Sequence, residues 1–230
     1  MDKNRVRDLA DLILPRVCPV CREILRGVER EICLDCLSSF PYTYFWSLRD
    51  NPAEELFWGK IYFQRVASLF YYGDDSDYGR LIHEIKYNGR RTLALFLGSM
   101  LGKRLRESGL YEDVDAVVAV PVSPVKSRMR GYNQAALIGT AVASEMGVEL
   151  IKGVLKRNLF SQSQTTMDPE SRLRNAITSF SLANGSKIRG RHILLVDDVL
   201  TTGATLEACG AALLGVDGCR VSVATLAYVE

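Results

Sequence analysis

The chain has 230 residues, room for one ordinary domain with an appendage or for two small domains, and nothing larger. Its 47% hydrophobic and 24% charged content is that of a soluble globular protein and excludes intrinsic disorder as the main state. Twenty-nine basic residues against 27 acidic ones leave a net charge of +2, so the molecule as a whole is no polyanion binder, and a nucleic-acid role would need a local patch.

The opening segment MDKNRVRDLADLILPRV mixes acids with bases and lacks the apolar run and small-residue cleavage site of a secretory signal. Val6, Leu9, Ala10 and Ile13 recur at helical spacing, which predicts a short amphipathic helix from about residue 4 to 14, stopped by Pro15. No apolar run approaches the length of about 18 residues that a membrane-spanning helix needs, the nearest being LALFL at 93–97. A cytoplasmic protein without membrane insertion is expected.

Four of the six cysteines fall in two close pairs, Cys18/Cys21 and Cys33/Cys36, separated by eleven residues. Two such knuckles offer four thiolates to one tetrahedral ion, for which Zn²⁺ is the first expectation. A closed four-sulfur shell leaves no open coordination position, so the metal would be structural. A thioredoxin-like dithiol and plain buried thiols are the competing readings. Cys209 and Cys219 stand alone and read as core residues.

From about 38 to 64 the chain is rich in aromatics, among them Phe40, Tyr42, Tyr44, Phe45, Trp46, Phe57 and Trp58. A base-stacking platform is one reading, but basic residues are not interleaved with the rings, which favours a small-domain core and an interdomain seam. From about 65 strand and helix signals alternate. RVASLFYYG is a strand; a helix follows from about Asp77 to Tyr87, closed by Asn88-Gly89, and a second runs from about 91 to 107. VDAVVAVPV (114–122) has the continuous apolar run of a buried parallel strand, followed by a loop and the helix YNQAALIGTAVASEM. Then come the strand VELI, a polar stretch over about 157–175, the short strand ITSFSL, the strongest strand HILLVDDV, a helix with Leu206, Cys209, Leu213 and Leu214 on one face, and a closing strand RVSVATLAYV. The expected architecture is an α/β domain over 61–230, a mostly parallel sheet with helices on both faces, preceded by a metal-type module and aromatic linker over 1–60. Ligands of such sheets bind beyond the carboxyl ends of the strands.

The segment ILLVDDVLTTGAT (193–205) joins a buried strand, two carboxylates at its end, and a hydroxyl-rich turn at a helix start. Backbone N–H groups there, with the hydroxyls of Thr201, Thr202 and Thr205, suit a phosphate monoester, and Asp197 and Asp198 are acceptors for a pair of sugar hydroxyls. A ribose 5-phosphate satisfies both halves. The alternative is that these acids and threonines merely cap the helix.

This segment resembles the 5-phosphoribosyl 1-diphosphate (PRPP) signature of type I phosphoribosyltransferases. The four-cysteine module, IHEIKYNGR (82–90), VPVSPVKSRMRGYNQA (120–135) and RNLFSQSQTTMDPESRLRNA (157–176) resemble the ComF (competence protein F) branch of that superfamily. The resemblance implies that Thr201, Thr202, Gly203, Ala204 and Thr205 hold the 5-phosphate and that Asp197 and Asp198 bind the ribose hydroxyls. It further implies that Lys126, Arg128 and Arg130 lie beside the diphosphate with Mg²⁺, and that a polar loop carrying Arg157, Gln162, Gln164 and Arg172 folds over the site.

Many purine-salvage relatives carry an acid where this chain has Thr201, and a threonine is no general base at neutral pH, so ordinary purine salvage is not expected. Ser161 stands where the family loop usually opens with threonine. His83 reads as an exposed or core helical residue, and His192 as structural. Three functional readings result: a Mg²⁺-dependent phosphoribosyl transfer from PRPP to a nitrogen acceptor, a competence protein that handles single-stranded DNA through Arg128, Arg130 and the Lys86/Arg90/Arg91 cluster, and a PRPP sensor without chemistry. Other competence proteins would be partners in the second.

Overall fold

The computed structural model describes residues 15–73, 76–158 and 179–229, except for the side chains of Pro124, Lys126 and Ser127. The amphipathic helix expected before Pro15 and most of the polar loop, including Gln162, Gln164 and Arg172, lie outside the described residues.

The second cysteine knuckle runs into a short helix, α1 (Leu34–Ser38), followed by α2 (Pro52–Glu55) and the first strand, β1 (Val66–Tyr72). Helices α3 (Gly79–Tyr87) and α4 (Arg91–Ser108) lead to β2 (Ala116–Ala119). Helices α5 (Pro124–Arg130) and α6 (Gln134–Met146) precede β3 (Glu149–Leu150), and β4 (Leu155–Arg157) follows directly. The chain ends in β5 (Phe180–Leu182), β6 (His192–Leu200), α7 (Ala204–Leu214) and β7 (Arg220–Val229). Two features depart from the expected elements. The segment after β2 contains the helix α5 rather than a plain loop, and β4 pairs antiparallel with β5 as a separate two-stranded sheet. The apolar run 114–122 gives a strand of only four residues, and its last bond to β6 is the Val120 N–H on the Val196 carbonyl at 2.9 Å.

The main sheet has the order β1-β7-β6-β2-β3, and every neighbouring pair is parallel. From β2 the chain crosses through α6 to β3 on one side, while from β6 it crosses through α7 to β7 on the other. With right-handed crossovers these two helices cover opposite faces. The strand order therefore reverses between β2 and β6, which places a crevice at their carboxyl ends. Both exposed edges are limited: β3 is two residues long, and β1 is covered by residues 41–43, where the Tyr71 N–H bonds the Pro41 carbonyl at 3.0 Å and the Thr43 N–H bonds the Leu69 carbonyl at 3.2 Å.

The aromatic linker fastens the front of the chain to this sheet. Phe40, Phe45, Trp46, Phe57 and Phe63 are buried, Phe45 stacks edge-on against Tyr71 and Tyr228, and Asn51 donates from Nδ2 to the Val66 carbonyl at 3.0 Å. Buried aromatic surface of this size contributes on the order of 2 kcal/mol per ring. Tyr44 and Trp58 stay exposed. Phe57 and Phe63 press on α7: a Cβ on Gly203 would meet Phe57 Cε1 at 2.8 Å, and one on Gly210 would run into the Phe63 ring.

Candidate phosphoribosyl site and metal centre

At the carboxyl end of β6 the side chains of Asp197 and Asp198 are partly buried, and the Asp198 N–H bonds Asp197 Oδ1 at 2.8 Å. Burial and the charge of Asp198 push the Asp197 carboxyl well above the usual carboxylate range, opposed by the Lys86 and Arg157 charges. Lys86, at the last turn of α3, reaches Asp198 Oδ1 with its Nζ at 3.5 Å. The carboxylate pair thus meets a cation from an element far away in sequence. Arg157, at the end of β4, lies over the Phe180 ring at 5.2 Å. This is the described end of the polar loop expected to fold over the site.

Beyond Leu200 the chain turns through Thr201, Thr202 and Gly203 into α7. Gly203 has φ +78°, a left-handed conformation costly for any residue with a Cβ, and the Phe57 ring closes the space a Cβ would occupy. The helix has no side-chain cap, and no hydrogen bond among the described residues engages the hydroxyls of Thr201, Thr202 or Thr205, all of them exposed. The alternative in which these threonines serve as caps is therefore not what the fold does. Free hydroxyls and the unpaired first N–H groups of an eleven-residue helix are left facing outward together, a cradle for an anion.

Across the crevice, the segment after β2 leaves and returns at one point. Asn133 donates from Nδ2 to the Val120 carbonyl at 3.1 Å, while its Oδ1 accepts the Ala136 N–H and caps α6. Gly131 takes φ +73°, its carbonyl accepts from Arg91 Nη2 at 3.1 Å, and the Tyr132 hydroxyl donates to the Ile85 carbonyl of α3. In the R-G-Y-N-Q motif, then, Gly131, Tyr132 and Asn133 shape the turn, Gln134 is buried, and the Arg130 guanidinium lies 5.5 Å from the Tyr87 ring centre. Lys86, Tyr87, Asn88, Gly89, Met129 and Arg130 line a cleft of about 640 Å³. Arg128 is exposed on α5, and the side chain of Lys126 lies outside the described residues.

Lys86, Arg90 and Arg91 are each tied within the protein: Lys86 to Asp198, Arg90 to Glu31 at 3.0 Å, and Arg91 to Gly131 and the face of Tyr132. Lys86 is the site residue that the sequence did not place with the acidic pair. His83 is exposed beside Tyr87. His192 is buried at the opposite, amino end of β6, between Asp113 at 3.0 Å and Ser222 at 2.9 Å. That chain resembles an acid-base-nucleophile set in its distances, but Ser222 is fully buried, so its role is to tie β6 to β7.

The sulfurs of Cys18, Cys21, Cys33 and Cys36 all lie within 4.8 Å of one another, with Cys21 and Cys33 at 3.6 Å. A tetrahedral ion bonded at about 2.3 Å would set its sulfurs about 3.8 Å apart, so the four thiols fit one such ion. Burial raises the Cys18 thiol, but backbone N–H groups of Cys33, Cys21 and Val20 outweigh it and hold the thiol at about 7. The first knuckle turns at Arg22, φ +69°, and the second is the start of α1, where Cys33 Sγ accepts the Cys36 N–H. Glu29 braces the span between them, accepting the N–H groups of Arg26 and Leu34 at 2.6 and 2.8 Å, which lowers its carboxyl.

Residues 133–230 match the phosphoribosyl transferase domain family. Competence protein F of Haemophilus influenzae is 28% identical, over 89% of this chain and 94% of that protein. The DNA utilization protein YhgH of Escherichia coli K12 is 26% identical over 86% and 84% of the respective chains, and competence protein ComFC of Bacillus subtilis is 26% identical over 86% and 78%. The chain is therefore similar to these competence and DNA utilization proteins over most of its length, and to the phosphoribosyl transferase domain over residues 133–230. The match to the transferase domain covers α6, β6 with its acidic pair, the threonine turn and β7, while the ComF relatives extend the likeness over most of the chain.

Proposed function

We propose that this protein, like the ComF family it resembles, has a phosphoribosyltransferase-type site, binds PRPP in the crevice between β2 and β6 and transfers its phosphoribosyl group to a nitrogen acceptor. The observation that carries the proposal is the placement of an acidic pair beside uncapped threonine hydroxyls and a helix N-terminus, all at the sheet's switch point. In this reading Thr201, Thr202, Gly203, Ala204 and Thr205 hold the 5-phosphate, and Asp197 and Asp198 accept from the ribose hydroxyls. Arg130, with Arg128 and Lys126, faces the diphosphate, and Arg157 and Arg172 belong to the covering loop. Paired carboxylates and phosphate oxygens are hard oxygen donors suited to Mg²⁺, which when bound would offset charge on the departing diphosphate. The chain's own part is to orient the ribose and stabilise the leaving group while the C1–O bond breaks and the N–C1 bond forms. The acceptor's proton must go elsewhere than to Thr201. Zn²⁺ in the four-cysteine site is structural in this proposal, and residues 1–60 and 61–230 are its two domains.

Calorimetric titration of the zinc-loaded protein with PRPP, with and without Mg²⁺, tests the donor site. Micromolar, Mg²⁺-enhanced binding that is lost in Asp197→Asn/Asp198→Asn is the expected outcome, and no binding to the intact protein would overturn it.

A second reading is favoured by the relatives named for competence and DNA utilization: the same phosphate pocket takes part in handling single-stranded DNA. Steeply salt-dependent binding of single strands, weakened by Arg128→Ala and Arg130→Ala, is its signature.

A further inference from the structure

Helix α3 stands between the four-cysteine module and the acidic pair and is gripped from both. On the module side, Arg80 donates from Nη1 to the Val20 carbonyl at 2.7 Å, and Arg22 approaches the buried Glu84 carboxylate at 3.6 Å. At its ends, Arg90 in the turn after α3 pairs with Glu31 at 3.0 Å, and the hydroxyl of Tyr78, the residue just before α3, donates to the Cys36 carbonyl at 2.8 Å. Val20 lies between the two cysteines of the first knuckle and Cys36 belongs to the second, so both knuckles hold the helix. Arg80 and Glu84 are one helical turn apart and share a face. Lys86 is two residues further on, about 200° around the helix, and its ammonium meets Asp198 at 3.5 Å. The Tyr132 hydroxyl on the Ile85 carbonyl holds the same turn against the R-G-Y-N-Q segment.

We infer that the four-cysteine module sets the geometry of the ligand pocket through α3, with Arg80, Glu84 and Arg90 as positioning residues and Lys86 as the ligand-binding residue they position. This rests on the PRPP reading for the ligand but not for the mechanical coupling. An ammonium has three donors, and the Asp198 contact engages one of them, so Lys86 can hold the acid and an anionic oxygen of the ligand together. The module then has a role in binding without contributing an atom to the pocket.

The test uses the zinc-loaded full chain and the double variant Arg22→Gln/Glu31→Gln, which breaks one tie to α3 and one to Arg90 in the turn that follows it, and alters neither a cysteine nor a pocket residue. PRPP with Mg²⁺ and inorganic diphosphate are titrated calorimetrically, zinc content is measured, and hydrogen exchange is followed over residues 79–90 and 197–205. Lys86→Ala should weaken both ligands by about tenfold or more, the size of a lost charge-assisted hydrogen bond, and Lys86→Arg should restore much of that loss. The double variant should retain zinc, exchange faster over both segments and bind about threefold more weakly. The triple variant that combines it with Lys86→Ala should bind no more weakly than Lys86→Ala alone, the added loss being smaller than the single-variant loss. Unchanged exchange over 197–205 in the double variant, or strictly additive affinity losses, would overturn the coupling. If the intact protein binds neither ligand, the PRPP reading fails, and the exchange over 197–205 decides the coupling by itself.

Discussion

Asp197 holds a carboxyl that burial and the adjacent Asp198 drive upward, so at neutral pH the folded chain retains a proton that the unfolded chain releases. A raised acid weakens the fold as pH climbs from about 4, the unfolded value, toward neutrality. Asp197→Asn supplies the neutral shape and keeps the oxygen that accepts the Asp198 N–H. The variant should therefore melt about 2–4 °C higher at pH 7.5, corresponding to about 1 kcal/mol, show no gain at pH 4, and lose PRPP binding. A lower melting temperature at pH 7.5, or an equal gain at both pH values, would sink this account in calorimetry. The pair itself was legible because strand, acids, threonines and glycine are contiguous over 193–205. Lys86 was not, because its partner Asp198 is brought to it only by the packing of α3 against the end of the sheet. The same holds for the second reason Gly203 is glycine: its turn is readable from T-T-G, but the Phe57 ring beneath it comes from a segment whose aromatics have no periodicity.

At the scale of elements, the helices and long strands were readable where apolar periodicity and glycine caps coincide, as in α6, which ends at Gly147 with φ +72°. β5 was readable as the end of ITSFSL, but β4 and its antiparallel pairing with β5 escaped because a three-residue strand shows no alternation, and α5 because Pro124 and its run of bases read as a turn. The contact between α4 and α6 was equally invisible, although Gly98 and Gly102, one turn apart, make it. A Cβ on Gly98 would lie 2.8 Å from the Ile138 carbonyl oxygen and 3.1 Å from its Cα. Alanine gains about 1 kcal/mol in helix propensity there, against about 1–3 kcal/mol for overpacking. The obstacle is backbone, which cannot rotate away, so the clash wins. Gly98→Ala should lower the urea midpoint by a net destabilisation of about 1 kcal/mol with an unchanged m-value; a rise in midpoint would mean that α6 gives way.

For the whole molecule, the question is whether metal holds only its own module or the entire chain. The knuckle region buries few apolar side chains of its own, among them Val20, Leu25 and Ile32, and its ties to α3 are polar. Such a segment relies on the four-cysteine centre for its fold. From Pro41 onward the chain is held differently, by ladder hydrogen bonds to β1, by Asn51 on the Val66 carbonyl, and by Phe57 and Phe63 on α7. Chelation should therefore melt residues 15–38 and leave the sheet standing. Trypsin should then cut at Arg22, Arg26 and Arg30, exposed positions whose backbone is braced by the knuckles and Glu29, only after chelator is added. The strand content measured by circular dichroism should persist, and re-addition of Zn²⁺ should restore protection. Loss of all secondary structure on chelation would show instead that the buried cluster running from Cys18 to Tyr228 is one cooperative unit, with the metal holding the sheet as well.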